Sequence, residues 1–267
     1  MDLQILGSGG TMTVPRPLCS CAVCSKARRK GGKYKRNNAS FFIKDKNILI
    51  DCGEDIADSL NRHNISKVDN LFITHWHPDH TFGLRVLLES GYNFRTPGAD
   101  KIIEVYIPKK VFEDLKAKFP VIDYLLNFQK TGNLHLIEDG DEIEFGNLVI
   151  EAVGYNGVGS DHYAYLIKEN NKRVLYAPCD TIDFNTYEKV LNLDLLIHEC
   201  GMFFDHKTEI KFPNLINRLR TNKPAKTIFT HIEEVELRLY GESFKKAKKD
   251  YSDVKFDFAF DGMKIKI

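Results

Sequence analysis

The chain has 267 residues, with 38 Lys and Arg against 37 Asp and Glu, and 43% of its residues are hydrophobic. Such values are ordinary for a globular protein and exclude a disordered, collagen-like or coiled-coil chain. The balanced charge argues against a polyanion binder that is held by net charge alone. The length fits one large domain, and no linker-like stretch divides it, so we predict a single domain over residues 1–267.

Short apolar runs separated by turn residues predict many strands, which alternate with helices in the second half of the chain. A first strand at residues 2–6 ends in a glycine turn, and an irregular loop at about residues 11–39 holds a cluster of cysteines. Further strands are predicted at residues 41–43, 47–50, 68–74, 102–107, 134–137, 142–145, 148–153, 163–168, 173–177, 193–198 and 227–230. Helices are predicted at residues 56–63, 82–90, 109–127, 184–191, 208–221 and 233–249. This order predicts an α/β fold in which helices pack outside mixed sheets.

The chain carries no sign of a membrane or secretory destination. No apolar run approaches the roughly 20 residues that cross a bilayer, and the first residues lack the basic and apolar regions of a signal peptide. We therefore expect a cytoplasmic protein with no membrane partner. In that compartment clustered cysteines are more often metal ligands or redox groups than disulfides.

Residues 75–80, with the sequence HWHPDH, place three imidazoles and a carboxylate directly after the predicted strand at residues 68–74. In an extended segment the side chains of His75 and His77 point to the same side of the chain. Asp79 and His80 come after the turn and form a second pair of candidate ligands. Neutral imidazole and carboxylate suit Zn²⁺, Mn²⁺ or Fe²⁺, and two neighbouring ligand groups suit a dinuclear site. The alternative is a chance histidine-rich loop, but this spacing after a buried strand favours a metal centre.

An HxHxDH motif after a strand resembles the signature of the metallo-β-lactamase superfamily, whose members are metal-dependent hydrolases. The glycine turn at residues 6–10 and the strand end at residues 50–53 (IDCG) are similar to the same superfamily. Within it, residues 19–24 (CSCAVC), the basic stretch that follows them and residues 260–263 (FDGM) resemble the PhnP-like phosphodiesterases, which hydrolyse a ribosyl cyclic phosphate. The resemblance implies a four-layer αβ/βα sandwich.

The superfamily holds two metals with its motif residues, a bridging aspartate and two later histidines. For this chain the resemblance implies the metal ligands His75, His77, Asp79, His80, Asp180 (the bridging aspartate) and His231. The family's remaining histidine aligns with residues 156–158, which offer no imidazole. The nearest candidate for that ligand is His162, and a supporting or substrate-facing histidine is the alternative.

The cysteine cluster suggests a second kind of metal site. Three thiolates within six residues can hold one zinc ion if a fourth ligand completes the tetrahedron. In the PhnP-like proteins that ligand is a histidine three residues after the last metal ligand, and this chain has Glu234 at the matching position. The resemblance thus implies one structural zinc bound by Cys19, Cys21 and Cys24, with Glu234 as a candidate fourth ligand. Water, another side chain or a metal-free thiol cluster are the alternatives.

These expectations combine into a metal-dependent phosphodiesterase with two active-site divalent metals, zinc or manganese. A metal-bound hydroxide oriented by Asp79 would attack a small, cyclic phosphodiester. The PhnP-like enzymes also use a late histidine near the substrate, proposed as the general acid. His206 lies in the matching region, and histidine is a residue type that can donate a proton near neutral pH. His198 competes for this role, and an exposed loop histidine is the alternative for His206.

Two rival functions remain open. A nuclease of RNase Z or exonuclease type keeps the fold, although the sequence shows no long inserted arm for tRNA. A non-hydrolytic, PqqB-like metal-binding protein would fit an incomplete first site. The basic residues between Lys26 and Arg36 attract phosphate or form a solvated face. Nucleic acid is not favoured as a partner, because no aromatic stacking pattern accompanies these charges. The sequence also leaves a homodimer open.

Overall fold

The computed structural model describes residues 1–157, 159–179, 181, 191–207, 209–239 and 243–267. The strands are β1 (Asp2–Gly7), β2 (Ser40–Ile43), β3 (Ile48–Ile50), β4 (Asn70–Phe72), β5 (Tyr92–Asn93), β6 (Gly98–Ala99), β7 (Ile103–Pro108), β8 (Gly132–Ile137), β9 (Glu142–Phe145), β10 (Leu148–Gly157), β11 (Ser160–Glu169), β12 (Lys172–Ala177), β13 (Leu195–Glu199), β14 (Thr227–Thr230), β15 (Phe256–Phe258) and β16 (Lys264–Lys266). The helices are α1 (Ala22–Lys30), α2 (Ile56–Arg62), α3 (Pro78–Thr81), α4 (Leu84–Glu89), α5 (Lys109–Lys118), α6 (Val121–Asp123), α7 (Phe212–Asn222), α8 (Glu234–Leu239) and α9 (Ser243–Asp250). Short 3₁₀ segments at Gly32–Tyr34 and Lys44–Lys46 and a π-helical segment at Tyr124–Gln129 accompany them.

Two seven-stranded mixed sheets form the frame of the described residues. In the first sheet the strands lie in the order β16-β1-β2-β3-β4-β7-β8, antiparallel as far as β3 and parallel from there. In the second the order is β15-β14-β13-β12-β11-β10-β9, antiparallel from β9 to β12 and parallel from β12 to β15. Parallel strands bring their carboxyl ends to one edge of a sheet, where ligand-bearing loops gather.

Aromatic side chains join the facing surfaces of the two sheets. Phe41 of β2 stacks on Tyr176 of β12 with ring centroids 5.2 Å apart, and Phe72 of β4 meets Tyr165 of β11 edge-on at 5.2 Å. All four side chains are buried, and each such burial stabilises the fold by roughly 1.5–3 kcal/mol. The Tyr165 hydroxyl donates a hydrogen bond of 2.6 Å to the carbonyl oxygen of Ile73. The inner layers therefore form a sandwich.

Helices flank the two sheets. Residues of α2, α4 and α5 share the large buried cluster that contains the strands of the first sheet. Phe212 of α7 packs on Phe229 of β14 in a second cluster, with centroids 5.2 Å apart. This arrangement confirms the α/β sandwich that the sequence predicts.

The region predicted as an irregular loop at about residues 11–39 contains helix α1, so that prediction was wrong in part. The Sγ atom of Cys21 accepts a hydrogen bond from the backbone N–H of Cys24 and caps the first turn. The basic residues in the last turn interact favourably with the negative end of the helix dipole and so stabilise the helix. Gly31 then ends the helix at φ 56°, in the left-handed region where glycine carries no Cβ penalty.

Other predicted elements differ in their bounds. The single helix predicted at residues 233–249 is α8 and α9 in the structure, and residues 240–242 lie outside the described residues. The helix predicted at 184–191 falls almost entirely outside them as well. Strand β10 extends to Gly157, and strand β11 begins at Ser160. The hairpin that they form is therefore longer than the sequence predicts. Within the described part of the chain, no helix is both long and apolar enough to span a bilayer.

Candidate metal centres

The candidate active centre lies where loops from both sheets meet. His75 follows β4, His162 lies in β11 and His231 follows β14. The backbone N–H of Tyr163 donates a 2.9 Å hydrogen bond to the carbonyl oxygen of Thr74, which ties β11 of the second sheet to the end of β4 in the first. The sandwich itself therefore holds the imidazoles of this centre in place.

The first group of ligand candidates contains three imidazoles. Nε2 of His75 lies 3.0 Å from Nδ1 of His77, and the ring of His162 stacks on that of His75 with centroids 4.1 Å apart. Burial and the neighbouring imidazoles hold the pKa of His75 well below its usual range. A neutral imidazole is the form that binds a metal.

His162 lies beside His75 and His77 although its sequence position did not match the family pattern. The reason is the longer hairpin, in which His162 stands opposite Tyr155 inside the β10–β11 ladder. Gly157 makes room for the ring, because a Cβ atom at this position would lie 1.9 Å from Nδ1 of His162. The structure thus brings the candidate to the first group, and its role as a ligand stays a prediction.

The second group is built around a buried carboxylate. Oδ2 of Asp79 lies 3.3 Å from Nε2 of His80 and 3.3 Å from Nε2 of His231. Burial acts to raise the pKa of Asp79, but the two histidines outweigh it and hold the pKa well below its usual range. Although burial opposes it, the nearby carboxylates of Asp79 and Asp51 raise the pKa of His80 to about 10. The carboxylates of Asp79 and Asp51 therefore favour a positive charge at this position, which a proton or a metal ion can supply.

Asp51 is a site residue to which the sequence assigned no role. It lies at the end of β3 in the left-handed region at φ 64°, and its side chain is fully buried. Its carboxylate accepts hydrogen bonds from the backbone N–H and the hydroxyl of Thr74 and lies 2.8 Å from Nδ1 of His80. With Nδ1 facing Asp51, the buried Nε2 of His80 points toward Asp79 and His231, so this nitrogen fits a cation held together with the Asp79 carboxylate.

Cys179, which also received no role from the sequence, lies close to both groups. Its Sγ atom belongs to one set of ligand atoms with His75, His77 and His162 and to another with His80 and His231, each set lying within 4.8 Å. The predicted bridging ligand, Asp180, lies outside the described residues.

The cysteine cluster forms a separate group with the predicted fourth residue. The Oε1 atom of Glu234 lies 4.0 Å from the Sγ of Cys19, 3.1 Å from that of Cys21 and 3.8 Å from that of Cys24. Burial raises the pKa of the Cys24 thiol to about 12, whereas hydrogen bonds from Cys21 lower that of Cys19. Three sulfurs and one carboxylate oxygen make a set of four donors, which suits tetrahedral zinc.

His206, the candidate general acid, is exposed and belongs to no ligand group that the described residues form. Its Nδ1 atom accepts a 3.3 Å hydrogen bond from the backbone N–H of Glu209. The competing candidate His198 is buried, and its Nδ1 lies 3.0 Å from the carbonyl oxygen of Glu199. The assignment of the proton donor stays a prediction.

Comparisons with known proteins agree with this architecture. Ribonuclease Z of Listeria monocytogenes serotype 4b (strain CLIP80459) is 26% identical over 245 residues, 69% of this chain and 77% of that protein. The crystal structure of a diphosphatase from the PhnP family superposes with a TM-score of 0.79 at 25% identity, over 100% of this chain and 97% of that one. Zn²⁺-bound PqqB from Methylobacterium extorquens superposes over the full length of both chains with a TM-score of 0.78, and its 17% identity supports the fold alone. The model of the beta-lactamase superfamily domain matches residues 46–232. Since this match covers more than half of the sequence, the chain belongs to the metallo-β-lactamase superfamily of metal-dependent hydrolases.

Proposed function

We propose that the protein is a phosphodiesterase that hydrolyses a small, cyclic phosphodiester at a centre of two divalent metals, zinc or manganese. The observation that carries the proposal is the presence of two neighbouring clusters of histidines. In the second cluster, two histidines contact the same buried carboxylate, that of Asp79. The first metal would be held by His75, His77 and His162, and the second by Asp79, His80 and His231, with Asp180 between them.

When bound, two divalent cations held by these residues would supply Lewis acidity toward a phosphoryl oxygen and make water a stronger acid. The chain's own residues orient the ligand histidines and supply the negative charge that offsets the charge of the cations. Asp51 fixes the orientation of His80, and Asp79 orients His80 and His231 together. His206 would deliver a proton to the leaving oxygen from the exposed side.

The likeness to a diphosphatase of the PhnP family, over 100% of this chain and 97% of that one, supports hydrolysis of a phosphate ester or anhydride at this centre. A second candidate is ribonuclease action, because the curated relatives include ribonuclease Z proteins at 26–28% identity. An RNA substrate would use many phosphate contacts, so its binding would weaken steeply with salt, whereas a small ester would show a slope of one or two charges.

The test combines metal analysis with a panel of substrates on one sample: bis(p-nitrophenyl) phosphate, a ribosyl cyclic phosphate and a precursor tRNA. We expect two active-site metals and one structural zinc per chain, together with turnover of the small diesters. One weakly held metal and no turnover would support the PqqB-like alternative, and preferred cleavage of the tRNA would support the nuclease.

The variant Asp79→Ala should abolish turnover, because Asp79 is buried between two imidazoles. The matched control is Asp69→Ala, which removes a more exposed carboxylate paired with Lys67 at 2.8 Å. Retained activity in Asp79→Ala, or equal loss in the control, would contradict the assigned site.

A further inference from the structure

The thiol of Cys179 lies at the boundary between the two histidine groups. Its Sγ atom is within 4.8 Å of one ring nitrogen from each of His75, His77 and His162, and within the same distance of His80 and His231. The residue is 4% exposed and lies two residues after the end of β12. The hydroxyl of Tyr155 donates a 2.5 Å hydrogen bond to its carbonyl oxygen, which fixes the backbone here.

We propose that Cys179 is a thiolate ligand of the active-site metal centre, because its sulfur lies within reach of both histidine groups. The proposal rests on the two-metal centre described above, and it is independent of the substrate assigned to it. On binding, the sulfur exchanges its proton for a metal–sulfur bond and the proton passes to solvent.

Two further features of the centre support a sulfur ligand. Nδ1 of His80 lies 2.8 Å from Oδ2 of Asp51, so Nε2, which is buried and faces Oδ2 of Asp79 at 3.3 Å, is the nitrogen left for a cation. A tetrahedral zinc with bonds of about 2.3 Å to sulfur and 2.0–2.1 Å to nitrogen separates the two ligand atoms by about 3.6 Å. The candidate ligand atoms of each group all lie within 4.8 Å of one another, which is compatible with that separation.

Another buried cysteine provides a contrast within the same sheet. Cys200 follows β13 and is 1% exposed, yet it joins a hydrophobic cluster and no ligand group formed by the described residues. A buried thiol that packs as a small apolar residue has this kind of surrounding. Cys179 instead has imidazoles on two sides.

A sulfur ligand predicts a particular metal preference. Soft thiolate favours zinc, cobalt or cadmium, whereas a centre of imidazole and carboxylate alone also accepts manganese. The proposal therefore predicts zinc as the resident metal. Replacing the sulfur by a carboxylate in Cys179→Asp should raise the ratio of bound manganese to bound zinc when both are offered in equal amounts.

The decisive experiment is cobalt substitution. Wild type, Cys179→Ala and the matched control Cys200→Ala are loaded with Co²⁺, and the sulfur-to-cobalt charge-transfer absorption in the near ultraviolet is compared. The cluster of Cys19, Cys21 and Cys24 contributes equally to all three samples. We expect Cys179→Ala to lose one thiolate's share, about a quarter of the total for four ligating sulfurs, and Cys200→Ala to match wild type. An unchanged spectrum in folded Cys179→Ala would overturn the proposal.

A second measurement needs no variant and covers the case in which Cys179→Ala fails to fold. Cadmium-113 NMR of the wild-type protein distinguishes sulfur ligands from nitrogen and oxygen ligands by chemical shift. We expect a resonance for mixed sulfur and nitrogen ligation beside the resonance of the cysteine cluster. Active-site resonances that all fall in the nitrogen and oxygen range would refute the thiolate. Neither spectrum depends on turnover, so absence of phosphodiesterase activity would contradict the proposed function and leave this result standing.

Discussion

Asp51 offers the sharpest test of how the second metal position is organised. Its buried carboxylate is the acceptor for the N–H and the hydroxyl of Thr74 and the partner of Nδ1 of His80, at 2.8–3.0 Å. The variant Asp51→Asn keeps the shape and removes the charge. Asparagine also tolerates the left-handed backbone at φ 64°, so the exchange adds little strain.

The expected magnitudes follow from these contacts. Losing the charged partner of a ligand histidine costs about 10- to 100-fold in metal affinity, which corresponds to about 1.4–2.7 kcal/mol. Asp51→Ala should do more, because it leaves the backbone N–H of Thr74 and Nδ1 of His80 buried without their acceptor. Each such group costs about 1–3 kcal/mol, so we expect this variant to lose several kcal/mol of stability even without metal.

The assay is zinc titration of the metal-free protein by calorimetry with a competing chelator, together with urea unfolding of the metal-free forms. The control is Asp69→Asn, since Asp69 accepts a 2.9 Å hydrogen bond from Asn47 away from the ligand groups. Zinc affinity in Asp51→Asn within a factor of about two of wild type, below the 10-fold loss expected for such a partner, would refute the reasoning.

Three further predictions concern separate positions. Gly157→Ala should displace the ring of His162 and remove one metal per chain by elemental analysis, whereas Gly98→Ala, whose nearest atom would be 3.8 Å away, should keep full occupancy. Glu234→Gln should speed the release of the structural zinc to a chelator while leaving the active-site metals bound, and an unchanged release rate would exclude Glu234 as a ligand. Burial raises the pKa of Asp55 to about 7, so the folded state binds this proton more tightly than the unfolded chain, and stability falls as the pH rises from about 4 to 7. Asp55→Asn should remove that slope and raise the free energy of unfolding at pH 8 by up to about 4 kcal/mol, and parallel pH profiles of the two proteins would contradict this.

The sandwich could be predicted because its strands are short apolar runs with turn residues between them, as in β2 and β3 around the 3₁₀ segment at Lys44–Lys46. Helix α1 could not, because its start depends on the thiol of Cys21 acting as a cap. Cysteine is an uncommon capping residue, and a run of mostly basic and small residues has little apolar periodicity.

The candidate site was predictable where its residues follow strands in sequence. His75 and His231 each come shortly after an apolar strand, which a linear pattern can indicate. The positions of Asp51 and Cys179 depend instead on parallel pairing between strands that a longer connection separates, β3 beside β4 and β12 beside β13. For His162, the missing information was the length of the hairpin, which decides whether the ring lies in a loop or inside the ladder.

The short segment from His231 to Glu234 carries ligand candidates of both predicted metal sites. His231 belongs to the active centre and Glu234 to the cysteine cluster, and Ile232 between them exchanges backbone hydrogen bonds with Ser8 and Gly10. A metal bound at either site would restrict the motion of this segment, which also carries a ligand candidate of the other site. The segment would then lose less conformational entropy when the second metal binds. The two affinities are then linked, and the linkage is reciprocal. Removal of zinc from a partly exposed loop would in this way weaken a buried hydrolytic centre without altering any group that contacts the substrate.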